Sequence, residues 1–139
     1  MRIPSIFFLG CLLATGGVLA EPLHDAVITG NINEAKHLAR PNNVNTPDRE
    51  GLTPLFLAVG MGSLEMVRVL INAKATVNKT VKSPQFDKWS PLHMAAAAGD
   101  EAIAQALVDA GANKKMRNSE GQQPVDLAST EELVGLLSK

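Results

Sequence analysis

Cysteine, tyrosine and excess charge are scarce in this sequence, and each scarcity excludes a class of protein. One cysteine occurs in 139 residues, tyrosine is absent, and aromatic residues make up 4%. A single cysteine cannot form a disulfide within the chain, so packing must stabilise the fold. Thirteen basic residues nearly balance fourteen acidic ones, for a net charge of -1. Both this balance and the few aromatic rings argue against nucleic acid as a partner, because phosphate binding needs excess cations and base stacking needs rings.

The sequence does contain enough apolar residues to form a packed core. Hydrophobic residues make up 45% and charged residues 19%, a composition typical of a folded domain and not of a disordered chain. The length suits one domain and is too short for two of ordinary size.

The first twenty residues have the arrangement of a secretory signal. Met1-Arg2 is a positively charged start, an apolar run follows from Ile6 to Ala14, and Val18-Leu19-Ala20 places small or β-branched residues where a signal peptidase cleaves. We expect residues 1–20 to be removed by cleavage between Ala20 and Glu21, which leaves a chain without cysteine and without a membrane segment.

Two alternatives exist for this segment. A transmembrane anchor would need about 20 continuous apolar residues, but Pro4 and Thr15-Gly16-Gly17 interrupt the run. A lipoprotein signal would make Cys11 the lipidated first residue, but the apolar run continues past Cys11 instead of giving way to a polar linker. Cleavage after Ala20 is therefore the favoured interpretation.

The remaining chain is organised as a repeat. Prolines in similar contexts recur at Pro22, Pro54, Pro91 and Pro124, which are 32, 37 and 33 residues apart. Each of the first three is followed eight residues later by a glycine, and then by a second apolar stretch. Self-similarity at a period of 20–50 residues is typical of stacked repeat proteins.

The residues of the second unit predict two short helices. Thr53 suits a helix cap, Pro54 suits the first helical position, and Gly62 suits the left-handed residue that ends the first helix. A second helix is predicted from the apolar spacing of Leu64, Val67, Leu70 and Ile71. Such a unit cannot bury its apolar face alone and must stack on a neighbour.

This second unit resembles an ankyrin repeat almost position for position, from Asp48-Arg49-Glu50-Gly51-Leu52-Thr53-Pro54-Leu55 to Ala75-Thr76-Val77-Asn78. The resemblance implies an all-α ankyrin-repeat solenoid of about four helix-turn-helix units. Their approximate bounds are residues 21–47, 48–80, 81–117 and 118–139. It also implies a protein-binding scaffold that uses the turn tips and the exposed side of the first helices, which form a concave surface.

Departures from the family pattern lie at both ends and before the third unit. The first unit has no turn before its first helix, and the last is expected to have a shortened second helix with Ser129 and Glu132 as its capping box. The 37-residue spacing implies about four extra residues, which we place in Lys79–Lys88. In this extended loop Lys88 stands where the family has its turn glycine.

Catalytic and metal-binding chemistry is not expected. His24 and His93 occupy one equivalent position two units apart, a separation of about 20 Å for helices packed 8–10 Å apart, so they cannot share a metal ion. Ser90 and His93 could be drawn as nucleophile and base, but no third group orients the base. The ankyrin resemblance implies that this pair supports the helix start and the neighbouring turn by hydrogen bonds. No cofactor is expected, and the basic run Lys114-Lys115 with Arg117 is interpreted as a solvated turn, with a charged binding role as the alternative.

The resemblance places candidate contacts with a protein partner at the turn tips, the first helices and the extended loop. Trp89 takes the variable turn position equivalent to Leu52, where the scaffold does not require a large aromatic, and we expect it to be an exposed hot spot. The alternative is a ring folded back to cover the longer loop. The full set of candidates is Arg49, Glu50, Leu52, Met61, Lys82, Phe86, Lys88, Trp89, Ser119, Glu120 and Gln122.

The expected function is therefore that of an exported, monomeric, non-catalytic protein-binding module. A periplasmic inhibitor, an immunity protein and a protective partner of another protein all fit this expectation. The alternative is a secreted effector that binds a host protein. An enzyme is the third and least favoured class.

Overall fold

The computed structural model describes residues 21–139, and the predicted signal segment at residues 1–20 lies outside the described residues. Within residues 21–139 the regular structure is helical, with turns and loops between the helices and no strand. The eight described helices are α1 (Pro22–Thr29), α2 (Ile32–Leu38), α3 (Pro54–Gly60), α4 (Leu64–Asn72), α5 (Pro91–Ala98), α6 (Glu101–Asp109), α7 (Pro124–Leu127) and α8 (Glu131–Ser138).

These helices form two layers of an ankyrin-type α-solenoid, as the sequence predicts. The first helices of the units, α1, α3, α5 and α7, contact one another in chain order, and so do the second helices, α2, α4, α6 and α8. Each first helix also contacts the second helix of its own unit. The apolar core lies between the two layers and between neighbouring units.

The predicted boundaries of the first helix in the second unit are confirmed, and the third unit begins its first helix in the same way. The Thr53 side chain accepts a hydrogen bond from the Phe56 amide (3.2 Å), and Ser90 accepts one from the His93 amide (3.3 Å). A proline occupies the first turn of both α3 and α5, where its missing N–H leaves no bond unmade. Gly62, after α3, adopts the left-handed conformation (φ 73°) that permits a tight connection to α4.

The second helix of the second unit buries the predicted face. Leu70 and Val67 of α4 are fully buried, whereas Glu65 and Arg68 face solvent. Leu64 and Ile71 are partly buried and pack against the core. The apolar spacing in the sequence therefore gave the correct helix and the correct buried side.

The last unit differs from its prediction in two respects. Its first helix, α7, is the shortened one, with four residues, whereas α8 has eight residues against nine in α4 and α6. The helix cap is also one residue later than predicted, because the side chain of Thr130, and not that of Ser129, accepts the Leu133 amide (3.2 Å). The chain leaves α7 in an extended conformation at Ala128, which ends that helix after one turn.

Candidate functional site

The turns that precede α3 and α7 close in the same way. In the first, the Asp48 amide donates to the Leu52 carbonyl (2.8 Å), and the Asp48 carboxylate accepts the Glu50 and Leu52 amides, both at 2.9 Å. In the second, Asn118 makes the equivalent bonds to the residues four and two positions later. Gly51 and Gly121 adopt positive φ angles of 83° and 78° at corresponding positions. One short polar side chain therefore organises each tight turn.

The loop before α5 closes over a longer span. The Val81 amide donates to the Trp89 carbonyl (2.9 Å), eight residues on, and the Lys88 amide donates back to the Val81 carbonyl (2.9 Å). The corresponding bond in each tight turn spans four residues, so four extra residues lie inside the hairpin Val81–Trp89, in agreement with the 37-residue spacing. Lys88 has a φ of 62° and takes the left-handed position that glycine fills in the other two turns.

The predicted exposure of Trp89 and Phe86 is wrong. Trp89 is 3% exposed and Phe86 is 5% exposed. The Phe86 ring lies 5.0 Å from that of Trp89, inclined to it by 67°, and 5.6 Å from that of Phe56 in α3. The Trp89 ring lies 6.1 Å from the His93 imidazole. The longer hairpin therefore folds its two aromatic rings inward as its own core, which is the alternative weighed for Trp89.

Leu52 is also a correction, because it is fully buried and cannot be an exposed contact. Its position corresponds to that of Trp89, and both residues point into the protein from the last position of a turn. The sequence signal that could have shown this is apolar character at this position in two units, which indicates a buried face. Trp89, Phe86 and Leu52 are therefore scaffold residues.

The Ser90–His93 pair is a structural hydrogen-bond unit, as the ankyrin resemblance implied. His93 Nδ1 accepts from the Ser90 amide (3.1 Å) and lies 2.8 Å from Ser90 Oγ. This leaves the proton on Nε2, which donates to the Gln122 carbonyl of the following turn (2.9 Å). Burial lowers the pKa of His93, against opposing contributions from the Gln122 and Met116 backbone and the Asp126 carboxylate. The neutral imidazole thus joins the third unit to the fourth and has no free nitrogen for catalysis.

The equivalent His24 in the first unit makes no such bridge. Its side chain is 1% exposed, and Nδ1 lies 3.0 Å from a Glu21 carboxylate oxygen without the alignment of a hydrogen bond. Its Nε2 has no hydrogen-bond partner. In the second unit Phe56 takes the same position and contacts Phe86. The same repeat position therefore holds an unbridged histidine in the first unit, an aromatic packing residue in the second and a hydrogen-bonded histidine in the third.

Six of the predicted contact residues do face solvent: Arg49, Met61, Lys82, Lys88, Ser119 and Glu120. Glu50 and Gln122 are half-buried. Main-chain hydrogen bonds bring the turns side by side, from the Lys82 amide to the Gly51 carbonyl (3.4 Å) and from the Ser119 amide to the Asp87 carbonyl (3.2 Å). The tips of the second, third and fourth units thus form one continuous surface.

Met61 is not part of that surface. It follows the last residue of α3, while the turns adjoin the first residue of α3, so a seven-residue helix of about 10 Å separates them. The residues between, from Pro54 to Val59, are all buried. Met61 is nevertheless 40% exposed, which makes it a separate apolar contact point at the far end of α3.

Sequence reasoning missed the two asparagines that hold successive loops in register. Asn45 accepts the Thr76 amide (2.7 Å), and Asn78 accepts the Asn113 amide (2.7 Å) while donating to the Gly111 carbonyl (3.2 Å). Asn45 and Asn78 are 33 residues apart, which is the ankyrin period. The recurrence of asparagine at this spacing was the signal available.

Metal clusters and membrane-spanning helices are absent from the part of the chain that the structure describes. Among residues 21–139, no three His, Cys, Asp or Glu side chains are placed to hold a metal ion. No helix in this range is long and apolar enough to cross a membrane. A shallow groove of about 450 Å³ lies between α4 and α6, lined by side chains that include Arg68, Ile71, Ala106 and Asp109.

Comparisons with known proteins agree with this architecture. A family model described as ankyrin repeats in three copies matches residues 11–81, and a single ankyrin-repeat model matches residues 87–119. The chain is 35% identical over 112 residues to ankyrin repeat domain-containing protein 13C-B of Xenopus laevis, covering 81% of this chain and 21% of that protein. It is 33% identical over 115 residues to ankyrin repeat and SOCS box protein 11 of Homo sapiens, covering 80% of this chain and 33% of that protein.

A third relative, the RelA-associated inhibitor of Mus musculus, is 38% identical over 91 residues, which is 65% of this chain and 11% of that protein. The chain therefore spans between about a tenth and a third of the length of these three relatives. Ankyrin repeats generally mediate binding between proteins and are generally non-catalytic. With the family models, the two-layer solenoid and the Ser90–His93 bridge all in agreement, the chain belongs to the ankyrin-repeat family.

Proposed function

We propose that this chain is an exported, monomeric, non-catalytic module that binds a partner protein through its turn tips. One observation carries the proposal: the turns of three successive units are joined into one exposed surface, while the only serine–histidine pair within hydrogen-bond distance in residues 21–139 is buried and saturated. A rigid exposed surface without a reactive centre suits recognition. Ankyrin repeats use such surfaces for other proteins.

The proposed contact surface consists of the turn residues that face solvent. The second unit contributes Arg49, the third Lys82 and Lys88, and the fourth Ser119 and Glu120. Glu50 and Gln122, which are half-buried, lie at the edges of this surface. Met61 is a proposed second contact, since an exposed thioether adapts to many partner shapes. The buried rings of Phe86 and Trp89 support this surface from beneath.

Export is proposed from the sequence of residues 1–20. The short positive start, the apolar run and the small residues before Glu21 fit a cleaved secretory signal. Glu21 directly precedes α1, so cleavage after Ala20 would leave the whole α1 in the mature chain. Mass spectrometry of the exported protein should give an N-terminus at Glu21. An N-terminus at a lipid-modified Cys11 would replace this proposal with that of a lipoprotein.

The proposed role is that of a periplasmic inhibitor, immunity protein or protective partner. The alternative is a secreted effector directed at a host protein. Cell fractionation separates the two: retention in the periplasmic fraction fits the first, and release into the medium with little retained fits the second.

Affinity capture with matched surface variants tests partner binding. The purified exported protein is the bait for periplasmic extract, compared with the double variants Arg49→Ala/Met61→Ala and Arg68→Ala/Val134→Ala. Each double variant removes one exposed arginine and one exposed large apolar side chain, since Met61 and Val134 are 40% and 43% exposed. We expect the first variant to lose the partner and the second to retain it. Equal capture by both would place the contact surface elsewhere.

A further inference from the structure

The cations of this chain are concentrated in two consecutive loops. Six basic residues and only two acidic ones occur in residues 79–88 and 113–120, in a chain whose net charge is -1. We call these six the basic surface: Lys79, Lys82, Lys88, Lys114, Lys115 and Arg117. In contrast, residues 89–112, which contain α5 and α6, include no lysine or arginine and three carboxylates.

Hydrogen bonds place the two loops of the basic surface next to each other. Asn78, adjacent to Lys79, bonds the backbone of Gly111 and of Asn113, adjacent to Lys114. At the other end of the long loop, the Asp87 carbonyl accepts the Ser119 amide (3.2 Å). The two loops that carry these cations are therefore in contact at both ends.

The side chains of the basic surface are open to solvent, fully or in part. Lys79, Lys82, Lys88, Lys115 and Arg117 are exposed and Lys114 is half-buried. Arg117 donates to the Gly121 carbonyl (2.6 Å), which fixes its side chain without cancelling its charge.

Lys88 is held in this surface at a conformational cost. Its φ of 62° is that of a left-handed residue, and the equivalent positions of the neighbouring turns are glycine. A left-handed conformation is unfavourable for a residue with a Cβ, and Lys74, outside the basic surface, adopts one as well (φ 78°). Lys88 lies where the long hairpin closes, and its charge is kept there although glycine would be easier to accommodate.

We propose that the basic surface binds an acidic segment of a partner protein. The inference rests on the proposed function and adds the chemistry of the partner: carboxylate side chains, presented in an extended or loop conformation, that lie along the two loops. Electrostatic complementarity of this kind speeds association and excludes wrong partners.

A protein is favoured over a nucleic acid by two observations. The aromatic rings in residues 21–139, those of Phe56, Phe86 and Trp89, are all buried, so none is exposed for base stacking. Asp87 and Glu120 are interspersed with the cations, which opposes a continuous phosphate track but suits a partner with mixed polar groups.

The test measures binding of a fluorescein-labelled deca-glutamate peptide by fluorescence anisotropy at low ionic strength, with a neutral Gly-Ser peptide and a single-stranded DNA of equal charge as comparisons. We expect Lys82→Glu/Lys88→Glu/Lys115→Glu to weaken peptide binding at least about tenfold. The matched control, Lys36→Glu/Arg68→Glu/Lys139→Glu, makes the same charge change at exposed residues outside the basic surface. It should weaken binding by less than about threefold, through the long-range field alone.

Three results of this peptide titration would overturn the proposal. These are deca-glutamate binding no tighter than the neutral peptide, equal losses in the two triple variants, and tighter binding of the DNA, which would indicate a nucleic-acid surface. Thermal unfolding of both variants checks that each is folded. A second pair, Lys88→Gly and Lys74→Gly, changes two lysines that both have a positive φ, so neither should unfold the protein, and only Lys88→Gly should weaken peptide binding.

This outcome is separable from that of the proposed function. If the wild type and the basic-surface variant capture the same partner equally well, the proposed function stands. The proposal that the partner binds through an acidic segment is then refuted. Capture of no partner would contradict the proposed function, while the peptide titration would still decide whether the basic surface recognises carboxylates.

Discussion

The tight turn Asp48–Leu52 and the long hairpin Val81–Trp89 solve the same structural problem differently. Both bring the chain to a helix cap, Thr53 in one case and Ser90 in the other. The tight turn is held by a carboxylate that accepts two amides. The hairpin begins at Val81, which has no side-chain acceptor, and the packing of Phe86 and Trp89 adds to its main-chain hydrogen bonds. In the longer turn, aromatic packing thus stands where the tight turn has a side-chain carboxylate.

The helices that follow the two turns also differ in how they contact the turn of the next unit. His93 in the third unit donates to the next turn, where its partner is the Gln122 carbonyl. The equivalent Phe56 contacts the Phe86 ring of the next turn instead. A repeat position therefore has to be interpreted together with the loop it faces, because a change in one is accommodated by a change in the other.

The largest effect that would test this comparison is the loss of the hairpin's aromatic packing. Trp89→Ala removes a ring that is 3% exposed and should cost about 3–5 kcal/mol of unfolding free energy, measured by urea denaturation. Arg49→Ala, at an exposed position of the tight turn, should change it by less than about 0.5 kcal/mol. A Trp89→Ala variant as stable as the wild type would show that the ring is not part of the core.

The repeat, the helix caps and the buried side of α4 could be predicted because each depends on residues close in sequence. Pro54, Thr53 and Gly62 act within one unit, and the spacing of Val67 and Leu70 follows from helical geometry. The extra hairpin residues could also be placed, since they follow from the spacing of the prolines alone.

The direction of Trp89 and Phe86 could not be predicted, because it depends on a neighbour in another unit. A phenylalanine at position 56, in place of histidine, leaves an apolar surface that Phe86 covers. The same limit applies to the short α7, which ends where the chain turns toward α8. Contacts between units decide these features, whereas the sequence pattern describes one unit.

The next comparison concerns the left-handed position of the two turns. At Gly51 a Cβ would overlap the Lys82 carbonyl oxygen, and φ is 83°. Gly51→Ala should therefore cost at least about 2 kcal/mol, since strain and overlap add. Lys88→Ala, at the equivalent position, keeps the existing Cβ and should be close to neutral. Urea denaturation of both variants measures this contrast, and equal losses would contradict it.

A smaller effect distinguishes the polar from the aromatic link between units. Burial lowers the pKa of His93 below its ordinary 6.5, so the unfolded chain takes up this proton at a higher pH than the folded chain. The contribution of His93 to the free energy of unfolding is therefore fully present above about pH 7. It falls as the pH drops below about 6.5, by up to about 1.4 kcal/mol at pH 5.5.

Replacement of His93 should remove this pH dependence. His93→Phe, which copies the residue at position 56, should lower stability near neutral pH but flatten its change between pH 7.5 and 5.5. His37→Ala, at an exposed position, should retain the slope. Chemical denaturation at several pH values measures the difference, and an unchanged slope in His93→Phe would assign the pH dependence to other groups.

The smallest expected effect is a gain in stability from making the hairpin more like the tight turns. Lys88 has a φ of 62° where Gly51 and Gly121 stand in the other units. This conformation destabilises the folded state by about 1–2 kcal/mol for a residue with a Cβ. Glycine removes that cost but lowers stability by roughly 0.5–1 kcal/mol, because it gives the unfolded chain more conformational freedom. Lys88→Gly should therefore raise the unfolding free energy by about 0.5–1 kcal/mol. Lys74→Gly, where φ is 78° and the third unit has Gly111, should give a similar gain. If Lys88→Gly instead destabilised the protein while Lys74→Gly stabilised it, the stem of the Lys88 side chain would be a packing element of the hairpin, and its position would be explained by structure and not by its charge.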